Sequence, residues 1–256
     1  MRMAIGAACS LVIAAVLPLV GTGPMAHATP QSSLEGAVIV LDPGHQLGNS
    51  NPKFAKQMAQ KKFNGSIVKE CNTTGTATNA GLPEATFTWK VANQLKDMLE
   101  ARGATVVLTR QDNSYESWGP CTWDRAHAGA AAQADLMVSI HADGAPSGGH
   151  GFHVIAPTRI EGFTDDVVKD DRVLARNMID AMSSAGATPS TYIDGALLVS
   201  SIMTTLNLSD VPSVIVELGN MRNAKEAKLM SSGAGQRQYA DWLLAGITKY
   251  LERESS

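Results

Sequence analysis

Val38-Ile39-Val40-Leu41-Asp42-Pro43-Gly44-His45 is the stretch from which the rest of the sequence is best read. With Ala37 it opens on AVIVL, a continuous apolar run with no alternation. A strand buried on both faces carries such a run, and strands of that kind lie in the interior of parallel sheets. Asp42, Pro43 and Gly44 then turn the chain and leave His45 just past the strand's end. Three further runs have the same character: TVVLT at 105–109, LMVSI at 136–140 ending at His141, and SVIV at 213–216 ending at Glu217. GFHVIA at 151–156 reads as another strand.

Helical patterns separate these runs. Pro83 and Glu84 suit a helix start, where a missing N–H costs nothing and a negative charge meets the positive end of the dipole. Phe87, Val91, Leu95, Met98 and Leu99 follow at helical spacing, and Arg102-Gly103 ends the run. The alanine-rich residues 122–133, residues 172–184, and a last amphipathic stretch carrying Tyr239, Trp242, Leu243, Ile247 and Leu251 also read as helices. Strands alternating with helices predict a single-domain α/β sandwich: a central, mostly parallel or mixed sheet with helices on both faces. Ligands of such folds gather outside the carboxyl ends of the strands. His45, His141 and Glu217 all fall there.

The first residues read as a targeting signal. Arg2 precedes an apolar run, Gly21, Gly23 and Pro24 break it, and Ala26-His27-Ala28 offers small residues at both positions a signal peptidase reads. We expect residues 1–28 to be a signal peptide and residues 29–256 the mature catalytic domain. A membrane anchor is the alternative, but the run is short for a span and lacks a basic stop-transfer flank. The formal net charge of -3 and the absence of a basic tract argue against nucleic acid. The chain is expected to work secreted, in a periplasm or cell wall, as a monomer and free of the membrane once cleaved.

Cys9 would leave with the signal peptide. Cys71 and Cys121 remain, and in an oxidising compartment they read as a disulfide, with two free buried thiols as the alternative. A bridge closing about 50 residues contributes roughly 4 kcal/mol on chain-entropy grounds. Residues 46–82 form a long polar insertion rich in Asn, Lys, Gly and Thr. Such a segment either hangs over a cleft and gates it or is a surface hairpin tied down by Cys71.

Catalytic zinc takes three protein ligands from His, Asp or Glu and keeps a position open for water. His45, Glu84 and His141 could supply them, although their long spacing is not specific by itself and a lone histidine is more often structural. Glu70 is a rival to Glu84, but no helical pattern follows it.

Four ordered motifs narrow the choice. The segment 38–45 resembles the opening strand of the zinc-dependent N-acetylmuramoyl-L-alanine amidases, the cell-separation and sporulation amidases of bacteria. Glu84, the helix after it, a Gly and a strand ending in Thr109-Arg110 are similar to that family's second motif. Asp135-Leu136-Met137-Val138-Ser139-Ile140-His141-Ala142 matches its D-x-x-x-S-I-H-A segment. Pro212-Ser213-Val214-Ile215-Val216-Glu217-Leu218-Gly219 matches its Pro-x-x-x-x-Glu-x-Gly signature, with Asn223 where the family has a downstream Asn. The resemblance implies zinc on His45, Glu84 and His141, with Glu217 taking a proton from the attacking water and passing it to the leaving nitrogen. It also implies peptidoglycan or a muropeptide as substrate, cut between N-acetylmuramic acid and L-alanine, and leaves any regulatory partner unspecified.

Asn220 stands where the family commonly has an aromatic residue, and Asp143 where it has Asn; both positions are expected to bear on substrate contacts. His150 and His153 read as structural or rim residues, and His127 as a solvated helix residue. Arg110 and Arg125 read as braces paired with Asp112, Asp135 or other acids. Asp42 reads as fixing the turn or orienting His45. No G-x-S-x-G elbow supports a serine hydrolase.

Overall fold

The buried run at 38–43 forms β1 (Val38–Pro43), an interior strand of a six-stranded sheet in a computed structural model that describes Met3 and residues 33–254. The expected signal peptide, apart from Met3, the expected cleavage after Ala28 and Cys9 lie outside the described residues. Across the sheet the strands run β4 (Thr105–Leu108), β1, β5 (Leu136–Asp143), β8 (Ser213–Asn220), β6 (His153–Pro157) and β7 (Leu197–Ser200). All neighbours are parallel except β6 and β8, which are antiparallel. Fold class is therefore mixed α/β, as the alternation of runs predicts.

Side-chain parity sorts the core into two layers. Ile39 and Leu41, Leu136, Val138 and Ile140, and Val214 and Val216 face one side. There they meet α2 (Glu84–Glu100), α5 (Val168–Ser184) and α8 (Gly233–Glu254) through Phe87, Leu95, Leu174, Met178, Tyr239 and Leu243. Each such side chain, fully withdrawn from water, contributes about 1.5–3 kcal/mol. The interleaved residues face a thinner layer. Val40 and Met137 pack with Ala134 and Val211, and Ile155 and Ile215 with Leu206. This side carries the short helices α3 (Thr122–Ala126), α4 (Ala128–Ala132) and α6 (Thr204–Asn207). The thin layer leaves room for a cleft at the strand tips.

Several elements differ from the sequence reading. The helix expected over residues 122–133 is two short ones, broken at His127. β8 runs on through Glu217 to Asn220, because its backbone keeps pairing with β5 after the apolar run ends. β7 and α7 (Ala224–Met230) have no expected counterpart. The insertion holds α1 (Ala55–Met58) and a hairpin, β2 (Lys61–Phe63) and β3 (Val68–Glu70). The hairpin's turn is docked: Asn64 donates to the Ile202 carbonyl at 3.3 Å and to Thr204 Oγ1 at 3.2 Å, and its own carbonyl accepts from Asn207 Nδ2 at 3.1 Å. Its base is tied by a Cys71–Cys121 disulfide to the start of α3.

Candidate active site

Parity places His141 on the face of Met137 and Glu217 on the face of Ile215, so both project on the thin side, and the register pairs them directly. Glu84 arrives from the start of α2, where its N–H donates to the Thr76 carbonyl at 2.9 Å. His45 completes the group from the turn after β1.

That turn is unusual, since His45 holds a left-handed backbone at φ 59°. Two buried arginines stabilise it. Arg125 Nη1 donates to Asp42 Oδ1 and to the Pro43 carbonyl, both at 2.8 Å, and its Nη2 donates to the His45 carbonyl at 2.6 Å. Arg110 Nε donates to the Pro43 carbonyl at 2.9 Å and its Nη2 to the Ala85 carbonyl at 2.8 Å, joining the turn to α2. Burial opposes ionisation of Asp42, but Arg125 and the hydroxyls of Ser139 and Thr109 outweigh it and hold the carboxyl at about 2. Asp42 thus fixes the turn, from inside β1 and not from after it as the sequence suggests. The expectation for the arginines needs correcting in part. Arg125 has an acid, Asp42, but Arg110 serves backbone carbonyls, Gln46 and Asn113. Asp112 instead accepts from Gln46 and Ser117, and Asp135 from the backbone of Val38.

The donor atoms of His45, Glu84 and His141 all lie within 4.8 Å of one another. Glu84 Oε1 is 3.1 Å from His45 Nε2 and 3.0 Å from His141 Nδ1. Backbone N–H groups of Ala142 and Thr76 donate to its two oxygens at 3.1 and 2.9 Å. Burial raises the Glu84 carboxyl, yet the charges of and hydrogen bonds to His45 and His141 pull it well below the usual range. The far nitrogen of His45, Nδ1, sits 3.1 Å from both the carbonyl and the hydroxyl of Thr73. Two glycines permit the close approach: a Cβ on Gly44 would lie 2.5 Å from His141 Cε1, and one on Gly75 2.8 Å from Glu84 Oε2. Glu70 is not in the group; it is exposed and 3.8 Å from Lys61.

Glu217 lines the same cleft, about 290 Å³, with these three residues. It is half-buried, and among the described residues its Oε2 has no hydrogen-bond partner. Burial, then the charges of Glu84 and Asp143, raise its carboxyl well above the usual range. A raised carboxyl in a cleft is the ordinary form of a proton-transfer group. A larger cavity of about 840 Å³ lies at the amino ends of the strands, by Asp135, Pro212 and Tyr250, and holds none of the four.

The profile of the N-acetylmuramoyl-L-alanine amidase family matches residues 39–249. The chain belongs to this family. It is accordingly a hydrolase of the cell-wall amidase class. An N-acetylmuramoyl-L-alanine amidase of Mycobacterium tuberculosis, Rv3717, is 36% identical over 246 residues, covering 94% of this chain and 95% of its own. The crystal structure of the amidase Ami1 from Mycobacterium smegmatis superposes with a TM-score of 0.79 at 33% identity, covering 87% of this chain and all of that one. The apo form of Ami1 from Mycobacterium abscessus gives 0.78 at 38% identity, covering 85% and 100%.

Other parts of the amidase cleft left no mark in the sequence. Thr73 and Thr76 buttress His45 and Glu84, and residues 202–205 form a wall. Asp143 lines the cleft, whereas Asn220 is a structural pin: its Nδ2 donates to the carbonyls of Pro146 and Gly149, both at 2.9 Å. His153 is buried in β6 beside Tyr192, His150 is exposed, and His127 is an exposed residue 3.6 Å from Asp210. The hairpin of the insertion lines the cleft through Lys69 and Glu70, and the segment after it through Asn72, Thr73 and Thr76.

Proposed function

We propose that the chain is an exported, zinc-dependent amidase that hydrolyses the bond between the lactyl group of N-acetylmuramic acid and L-alanine in peptidoglycan or its muropeptide fragments. The observation that carries this is the convergence of His45, Glu84 and His141 donor atoms beside the unpartnered carboxylate of Glu217. Two imidazole nitrogens and one carboxylate oxygen form a set that catalytic zinc takes. A zinc ion on them supplies Lewis acidity, lowering the pKa of a water and polarising the substrate carbonyl.

The chain's own groups do the rest. With its proton on Nδ1, His45 donates to the Thr73 carbonyl, which leaves Nε2 free as the ligand atom. His141 presents Nδ1. Arg125 and Asp42 hold the backbone of His45 in place, so the ligand is positioned before substrate arrives. Glu217 accepts a proton from the attacking water as the new C–O bond forms. It then donates that proton to the nitrogen as the C–N bond breaks, leaving a lactyl carboxylate and the free amine of L-alanine. Proton transfer of this kind is typically worth about 100- to 10,000-fold.

The same proposal takes residues 1–28 as an export signal and residues 29–256 as the mature catalytic domain, with the monomer as the working unit. The Cys71–Cys121 bridge suits an oxidising compartment. Among the described residues no helix is long and apolar enough to cross a membrane. The test is mass spectrometry of wall digested by the purified protein. Intact stem peptides beginning with L-alanine are expected; new sugar reducing ends, deacetylated sugars or cuts inside the peptide would overturn the reading.

A further inference from the structure

The hairpin pairs Lys61 with Glu70, Lys62 with Lys69, and Phe63 with Val68. Directly opposed residues share a face, so Lys61, Phe63, Val68 and Glu70 lie on one side and Lys62 and Lys69 on the other. The first side is internally matched, with Lys61 3.8 Å from Glu70. The second opposes two cations, an arrangement that weakens a hairpin unless an anion lies between or beside them. Lys69 is half-buried and lines the catalytic cleft; among the described residues lining it, no other is Lys or Arg. No described carboxylate pairs with either ammonium. The acidic residues of the lining are Glu70, Glu84, Asp143 and Glu217.

Lys69 is therefore the lysine of the lining on which an acidic substrate can settle, with Lys62 opposite it on the same face of the hairpin. A peptide that begins at L-alanine is such a substrate, because it ends in a free carboxylate. We propose that Lys62 and Lys69 form a carboxylate-binding subsite for the stem peptide, directing it along the hairpin wall away from the scissile bond. This rests on the amidase reading and adds which substrates the cleft favours. The hairpin is a suitable platform because it is anchored at both ends, by Asn64 to α6 and by the disulfide after Glu70. The strands that carry the lysines are therefore held before the peptide arrives, and the ordering cost falls on the lysine side chains and the substrate.

The experiment uses two muropeptides identical except that the stem carboxylates of one are carboxamides. The wild-type protein should hydrolyse the carboxylate form with the lower KM, and added salt should erode that advantage. Lys62→Met and Lys69→Met together should reduce the carboxylate-over-carboxamide ratio of kcat/KM by roughly fivefold or more, mainly through KM. Lys62→Met alone, at an exposed side chain, should move the ratio the same way by less, and it keeps the test valid if the double variant folds poorly. An unchanged ratio, or an equal loss on both substrates, overturns the subsite while the amidase reading stands. Hydrolysis of neither substrate by zinc-loaded wild-type protein overturns both.

Discussion

Replacing Asp171 with Asn should stabilise the protein at neutral and alkaline pH and do almost nothing in acid. Asp171 lies in the first turn of α5 and is 1% exposed. Its Oδ1 accepts from the backbone N–H of Ser213 at 2.7 Å, and its Oδ2 has no partner among the described residues. Burial, reinforced by Asp170 and Asp166 against the bond from Ser213 and the charge of Arg172, pushes the carboxyl up to about 7. An acid whose pKa is higher folded than unfolded binds its proton more tightly in the folded state. Stability is then full below the unfolded value near 4, falls as pH rises, and levels off above about 7. A shift of about 3 units at 1.36 kcal/mol each amounts to about 4 kcal/mol, an upper figure for one group. Asn keeps the acceptor for Ser213 and carries no charge, so it removes this slope. Urea unfolding at pH 3.5, 6 and 8 should give nearly equal stabilities for the two proteins at the lowest pH and a widening advantage for Asn above it. Parallel pH profiles would refute the reasoning. Ser213 opens β8 and Glu217 lies near its far end, so turnover at a pH where both proteins are folded serves as a control.

Three further outcomes follow from the same structure. Glu217→Gln should keep fold and zinc content while turnover on purified peptidoglycan falls at least about 100-fold; near-normal turnover would place the proton transfer elsewhere. Arg125→Met leaves Asp42 buried and unpaired and the turn carbonyls short of donors, so stability should fall by about 3–5 kcal/mol in urea titration, with zinc affinity falling too; loss of stability without loss of zinc would separate Arg125 from His45. Exported protein should show no titratable thiol at Cys71 or Cys121 when denatured, and reduction should expose the hairpin to protease before the sheet loosens, whereas simultaneous loss of both would contradict the anchoring role of the bridge.

Much of the fold was legible because burial leaves a plain pattern. The continuous runs at β1, β5 and β8 could belong only to an interior sheet, and the strand-end rule then gathered His45, His141 and Glu217. β7 was missed because its four residues are only partly buried and follow a turn rather than an apolar run. The helix at 122–133 split because composition reports alanine content and not where a turn closes. Arg110 reads from sequence as a partner of acids because sequence shows charges, while its acceptors include backbone carbonyls of the turn and of α2. Thr73 and Lys69 reach the cleft by the path of a long insertion, which periodicity does not describe.

The central claim is that His45, Glu84 and His141 hold the zinc on which hydrolysis depends. One experiment meets it directly: strip the protein of metal, confirm this by elemental analysis, add zinc back, and follow release of stem peptides in wild type, Glu84→Ala and Glu70→Ala. Wild type and Glu70→Ala should lose activity on stripping and regain it with about one zinc per chain, a catalytic site being built for a single ion, while Glu84→Ala should neither bind nor recover. Full hydrolysis by metal-free wild type, or zinc retained in Glu84→Ala and lost in Glu70→Ala, would contradict it.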